Sequence, residues 1–181
     1  MGPVTDPLEL RNATDVLGWV GTVVPQVKVL GVWADVVAHV DRVAHASRQA
    51  SGQGPMLERD VLAMWEWPEA RRAPEVVRLV GLLVGGTSWR RALTAACRLA
   101  GFGPVAILGV DDERCRLECS YFGVGLVAVD GASVRLVEAG RSGRSEGARR
   151  RTLDRWVEES VYARLIADGV LAPVATPSAT R

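Results

Sequence analysis

Residues 101–140 read GFGPVAILGVDDERCRLECSYFGVGLVAVDGASVRLVEAG, and the fold turns on how this stretch divides. Val105 to Val110 is a short apolar run bounded by Pro104 and Asp111-Asp112, the pattern of a buried strand. Arg114 to Tyr121 alternates through Cys115, Leu117, Cys119 and Tyr121, which predicts a strand with one buried face. Val124 to Val129 is apolar throughout and predicts another. Asp130-Gly131 supplies a hairpin turn, because both residues reach positive φ at low cost, and Ser133 to Ala139 resumes the strand pattern with Val134, Leu136 and Val137.

Upstream of Gly103-Pro104 the spacing is helical. From Val27 to Ala50, Val29, Val32, Trp33, Val36, Val37, Val40, Val43 and Ala44 recur every three or four residues and predict one long helix. A second helix is predicted around Met56 to Trp65, and a third from Pro74 to the stop at Gly85-Gly86. A fourth runs from Trp89 to Ala100 and closes at Gly101. The stretch from Asp6 to Gln26 fits a short helix followed by an extended piece. Downstream, Gly140 to Gly147 reads as a loop, and Arg151 to Asp168 as a final helix with Leu153, Trp156, Val157, Val161, Leu165 and Ile166 on one face.

The expected fold class is therefore α+β: N-terminal helices packed on a small C-terminal, antiparallel-leaning sheet and closed by a final helix. A single globular domain is expected over residues 1–172, with its helical part at 1–102, its strand-rich part at 103–140 and its last helix at 151–168; residues 173–181 read as a flexible tail. The sheet is expected wholly within residues 105–139. Trp33, Trp89 and Trp156 are expected on buried helix faces.

Composition narrows the function classes. Hydrophobic residues make up 48% and charged residues 24%, which separates the chain from disordered sequences. The net charge of +1 provides no global field for an anionic partner, so attraction to one requires a local patch. That patch must be arginine, since Lys28 is the only lysine. The first residues lack a basic segment followed by an apolar run, no apolar stretch is long enough to span a bilayer, and the three cysteines form no disulfide framework, so a cytoplasmic protein with no membrane partner is expected.

The motifs for catalysis are incomplete. His39 and His45 lie six residues apart and point to different faces of a helix, and Cys115 and Cys119 lack zinc-ligand spacing. Gly85-Gly86-Thr87-Ser88 lacks the lysine of a phosphate loop. No catalytic residue, metal or cofactor is expected. An alternative enzyme reading would use the clustered carboxylates Asp111, Asp112, Glu113 and Glu118.

Two features suggest binding. Arg141, Arg144, Arg149, Arg150 and Arg151 place five arginines in eleven residues at the opening of the last helix, where planar guanidinium groups and unpaired backbone N–H groups suit phosphate. Trp65 and Trp67 are two apart and cannot share one helix face, so Trp67 is the candidate contact for a protein partner. The expected function is a non-enzymatic binding or assembly module, contacting nucleic acid through the arginine loop or a protein through exposed aromatic surface.

The succession Ser88 to Phe102, Cys115 to Asp130, Ser133 to Glu138 and Arg151 to Asp168 resembles the α-β-β-β-α core of the restriction-endonuclease-like PD-(D/E)XK family over residues 88–168. Phe122-Gly123 with Leu126 to Val129 is similar to that family's second strand, and Leu136-Val137-Glu138 to its third. The family's metal-binding aspartate would fall at Gly125 and its lysine at Gly140, so only Glu138 matches. One carboxylate does not hold a divalent ion for phosphodiester hydrolysis, and the resemblance implies a nuclease-like fold without the chemistry.

Overall fold

A computed structural model describes residues 6–67, 69–70, 72–131, 133–141 and 152–174. The elements are α1 (Pro7–Val16), β1 (Thr22–Val29), β2 (Val32–Val40), α2 (Arg42–Ala50), α3 (Arg59–Met64), β3 (Val77–Val84), α4 (Trp89–Leu99), β4 (Val105–Gly109), α5 (Glu113–Phe122), β5 (Gly125–Asp130), β6 (Ser133–Glu138) and α6 (Thr152–Ala167). The six strands form one sheet in the order β1 to β6. It is mixed: β1 and β2 are antiparallel, β3, β4 and β5 run parallel, and β6 returns antiparallel to β5. By its contacts the chain divides into two compact units, Met1–His39 with Leu79–Ala148 and Val40–Arg78 with Arg149–Arg181.

The chain is α+β, but the expected arrangement of N-terminal helices on a small, antiparallel-leaning C-terminal sheet is overturned. The sheet is neither small nor confined to the C-terminal part, and helices alternate with strands along the chain. The predicted helix over Val27 to Ala50 is a hairpin followed by α2. Leu30 and Gly31 both have positive φ, at 48° and 82°, and Val29 pairs with Val32 across them, the geometry of a two-residue type I′ turn. A leucine is unusual in such a turn, so composition hides it. Ala34 to Ala38 are buried on both faces of β2, and a valine- and alanine-rich run broken only by Asp35 satisfies helical and strand spacings equally.

The same ambiguity governs β3, whose VRLVGLLV carries the spacing of the predicted third helix. Its β-branched content and eight-residue length fit a buried strand. Gly81 lies beneath the Trp19 ring, where an added Cβ would stand 2.6 Å from ring atoms, so this strand position must stay bare. Conversely, Arg114 to Tyr121, predicted as a strand, is helix α5. Asp112 caps it by accepting from the Cys115 N–H at 2.9 Å, and Gly123, at φ 68°, ends it in the left-handed conformation. Only Cys115 and Cys119, one helical turn apart, are buried.

In the first unit α1 covers one face of the sheet. Leu10 and Ala13 pack against Leu83, Ala106 and Val127, with Leu17, Trp19 and Leu136 around them. The alternate residues Leu82, Val84, Ile107 and Leu126 are buried on the opposite face, on which α4 and α5 lie side by side. The predicted tryptophan burial fails: Trp33 sits on a strand, not a helix, and is 37% exposed, while Trp89 and Trp156 are half-buried.

The second unit is held by arginine. Arg48 on α2 is fully buried and grips Glu159 of α6 through two bonds, Nη1 to Oε1 at 2.8 Å and Nη2 to Oε2 at 3.0 Å. Its remaining N–H groups reach the carbonyls of Gln53 at 3.3 Å, Gly54 at 2.9 Å and Pro74 at 3.4 Å, so all five guanidinium donors find acceptors. Glu159 also accepts from the Met56 N–H at 2.9 Å. The guanidinium lies 4.9 Å over the Tyr162 ring, and two further pairs repeat the device, Arg155 over Trp65 and Arg59 over Trp156.

Removing one partner leaves the other charge buried and unpaired, at a cost of about 3–5 kcal/mol. Glu159→Ala is therefore expected to lose roughly that much stability in urea unfolding, and Glu159→Gln less, because the amide oxygen still accepts. A second expectation concerns pH. His45 bonds Tyr162 through Nδ1 at 3.0 Å, while its buried Nε2 has no partner. Burial, with Arg42 and Arg48 nearby, pushes the imidazole below its ordinary value of 6.5. The unfolded chain then takes up the proton first as pH falls, so stability present at neutral pH declines below about pH 6.5. Urea melts across that range should show the decline in the wild type and a smaller one in His45→Gln.

Candidate nucleic-acid interface

The parallel strands bring α4 and α5 together, and their outer faces carry complementary chemistry. On α4, Ala92, Leu93, Ala96 and Leu99 are buried, which directs Arg90, Arg91, Thr94 and Arg98 to the exterior. No carboxylate belongs to this helix. Arg90 lies 4.5 Å from the centre of the Trp89 ring, and the Arg98 guanidinium donates to the Leu30 carbonyl at 3.1 Å. These contacts orient the arginines without neutralising them.

On α5, burial of Cys115 and Cys119 turns Leu117 and Tyr121 outward. Tyr121 is 79% exposed and Phe122 48%, and their rings meet edge to face with centroids 5.1 Å apart. Between the helices runs a groove of about 580 Å³. Its floor is Leu93, Cys97 and Phe122, and its polar rim is Arg90, Thr94, Arg98 and Glu118. Glu118 is paired with Arg114 at 3.1 Å, which offsets the rim's one negative charge.

Arg141 stands at the end of α5. Its N–H donates to the Gly123 carbonyl at 2.9 Å, and its side chain occupies the space over Gly123 where a Cβ would otherwise lie. The arginine-rich segment thus starts beside Phe122. Arg144, Arg149, Arg150 and Arg151 lie outside the described residues. At the first described turn of α6, the Thr152 N–H and hydroxyl both donate to a Glu66 carboxylate oxygen, the N–H at 2.8 Å, so a protein carboxylate already takes this place at the helix opening.

Trp67, in the second unit, is 70% exposed, with Met64 and Leu57 also open to solvent. The clustered carboxylates act singly. Asp111 pairs with Arg135 at 2.6 Å, Asp112 caps α5, Glu113 is exposed in its first turn and Glu118 serves Arg114. Among the described residues no three histidine, cysteine or acidic side chains gather as a metal site, and no helix is long and apolar enough to cross a membrane.

The two glycines at the positions of the nuclease motif have steric reasons to be there. A Cβ on Gly125 would stand 2.9 Å from the Ala106 Cβ. One on Gly140, whose φ is 68°, would stand 2.5 Å from the Gly125 nitrogen. Neither an aspartate nor a lysine fits without moving the backbone.

A second cavity, of about 510 Å³, opens at the carboxyl ends of β3 and β4, where open parallel sheets often bind ligands. Thr87, Ser88 and Arg90 line it, but so does Glu9, whose carboxylate opposes an anion. The aromatic end of α5 escapes sequence reading because that segment scans as a strand. Its signals are the Asp112 cap, the Gly123 stop and the i, i+4 spacing of two cysteines.

The cysteines give the groove a reporter. The Cys115 and Cys119 sulfurs are 4.0 Å apart and buried, and burial, with Cys115 alongside, pushes the Cys119 thiol up to about 12. Cys97 is partly open in the groove floor. Iodoacetamide at about pH 8 is expected to modify Cys97 first in the folded protein, since thiolate and access control reactivity. Mass spectrometry reads the order, and equal labelling of all three cysteines would contradict this packing. No family model matches this chain, and neither a curated protein nor a solved structure matches it.

Proposed function

We propose that this chain is a non-enzymatic nucleic-acid-binding module whose binding surface is formed by α4, the exposed end of α5 and Arg141, with Arg144, Arg149, Arg150 and Arg151 as further candidate contacts in the sequence. One observation carries the reading. Arg90, Arg91 and Arg98 occupy the exposed side of a helix without carboxylates; Arg90 and Arg98 rim a groove that Phe122 lines from α5, Tyr121 stands edge to face against Phe122, and Arg141 packs over Gly123 at that end. With a net charge of only +1, such local concentration is what electrostatic attraction to phosphate requires. Arginine adds bidentate geometry that lysine lacks.

The restriction-endonuclease resemblance adds nothing to this reading, because residues 88–168 run α4, β4, α5, β5, β6, α6, with a helix where that α-β-β-β-α core needs a strand. The crowding at Gly125 and Gly140 supports binding without hydrolysis. A second reading, a protein adaptor, is favoured by the exposure of Trp67 next to Met64.

A salt titration of binding to mixed-sequence DNA tests the proposal. Neutralising three or four phosphates predicts a slope of log K against log salt of roughly −3 to −4 on a duplex, at about −0.9 per phosphate. Replacing Arg141, Arg144, Arg149 and Arg150 with alanine is expected to flatten the slope by about one for each phosphate left without its arginine, and to leave the unfolding transition unchanged. Failure of the wild type to bind any nucleic acid at low salt would remove this reading in favour of the surface around Trp67.

A further inference from the structure

We infer that the groove between α4 and α5 receives single-stranded DNA with its bases unstacked, in preference to a duplex. The inference rests on the proposed nucleic-acid function and specifies its partner. Two observations at the groove point to it, one for each part of a nucleotide.

The first is the aromatic end. Phe122, 48% exposed, lines the groove, and Tyr121, 79% exposed, stands at its mouth edge to face against Phe122, on a helix whose Cys115 and Cys119 are buried. Two exposed rings in contact offer stacking faces that a partner with flat, apolar faces can cover. In a duplex the base faces are already stacked on one another and only phosphates, sugars and base edges are offered, so the rings would gain little. A single strand offers base faces, and each base stacked on an aromatic ring is worth about 1–3 kcal/mol whatever its identity.

The second is the charge of the rim. Arg90 and Arg98 stand two helical turns apart along α4 on the groove side, and Arg141 follows at the far end of α5. The rim's one carboxylate, Glu118, is engaged by Arg114. Cationic positions spaced along an apolar floor match a chain that alternates phosphates with flat, apolar-faced bases. The floor residues Leu93, Cys97 and Phe122 carry no strong acceptor that would reward a ribose 2′-hydroxyl, so a deoxyribose strand suffices.

Fluorescence anisotropy of the full chain with labelled mixed-sequence oligonucleotides tests this, comparing single-stranded DNA, the same sequence as a duplex, and RNA at low salt. Single-stranded DNA is expected to bind at least about tenfold tighter than the duplex, and RNA no tighter than DNA. Tyr121→Ala is expected to weaken single-strand binding about 5- to 150-fold and to weaken duplex binding by less. Tyr121→Trp, which keeps a stacking face, should restore it. Single-stranded DNA should also slow alkylation of Cys97. If single strands bind but Tyr121→Ala is silent and Cys97 stays reactive, the groove assignment is wrong while the nucleic-acid reading stands. A duplex preference, or RNA bound tenfold tighter than DNA, also overturns it. Absence of binding to all three overturns both, and an acidic polypeptide that protects Cys97 in their place would identify a protein partner.

Discussion

Three adjacent parallel strands constrain everything in the first unit. A parallel pair cannot be closed by a tight turn, because the chain must return to the starting edge before the next strand begins. Here α4 makes the return from β3 to β4, and α5 from β4 to β5. With both on one face, the two helices become neighbours, and the furrow between them follows from the topology. The sequence of the helices then decides what the furrow offers: small apolar residues inward, arginines outward on α4, aromatics at the end of α5.

The second unit solves a different problem. It has three short or medium helices, and alongside an aliphatic core of Leu62, Val157, Val161 and Leu165 it draws on buried charge with aromatic stacking. Arg48 bridges the loop after α2, the segment before β3 and α6 in a single side chain. A buried ion pair gains little over a hydrophobic cluster in net energy, but the guanidinium fork accepts one arrangement of its five acceptors. Two loops and a helix are thereby given a fixed geometry that apolar packing alone would leave looser.

Much of the secondary structure is legible in the sequence, and the errors share one physical cause. Segments punctuated by unambiguous turn chemistry read correctly: α4 before Gly101, β4 after Pro104, β5 and β6 around Asp130-Gly131, and α6 before Gly169. The failures at β2 and β3 are valine- and leucine-rich runs buried largely on both faces, where periodicity carries little information; β1 sets buried Val24, Val27 and Val29 among Pro25, Gln26 and Lys28, and its last valines continue the apparent helical spacing of β2. The failure at α5 is the reverse. Leu117 and Tyr121 complete an alternating pattern although both are exposed, so the pattern counts outward-facing residues as core. The candidate site is legible only in part: Arg141 stands out in the sequence, but the arginines of α4 gain meaning only beside α5, an adjacency that the parallel crossovers create.

The Arg48–Glu159 pair also orders events in time. Its two members are separated by 111 residues. A chain emerging at about 5–20 residues per second therefore carries Arg48 for roughly 5–20 s before its carboxylate exists. During that interval α2 has neither its charge partner nor the α6 tyrosine that its guanidinium covers, so the second unit cannot complete its core as it is made. The intervening strands and helices of the first unit, 79 onward, contain their own partners and face no such wait. Synthesis thus runs through the whole sheet before the arginine-held unit can close, and α6, made after every strand, is the element that closes it.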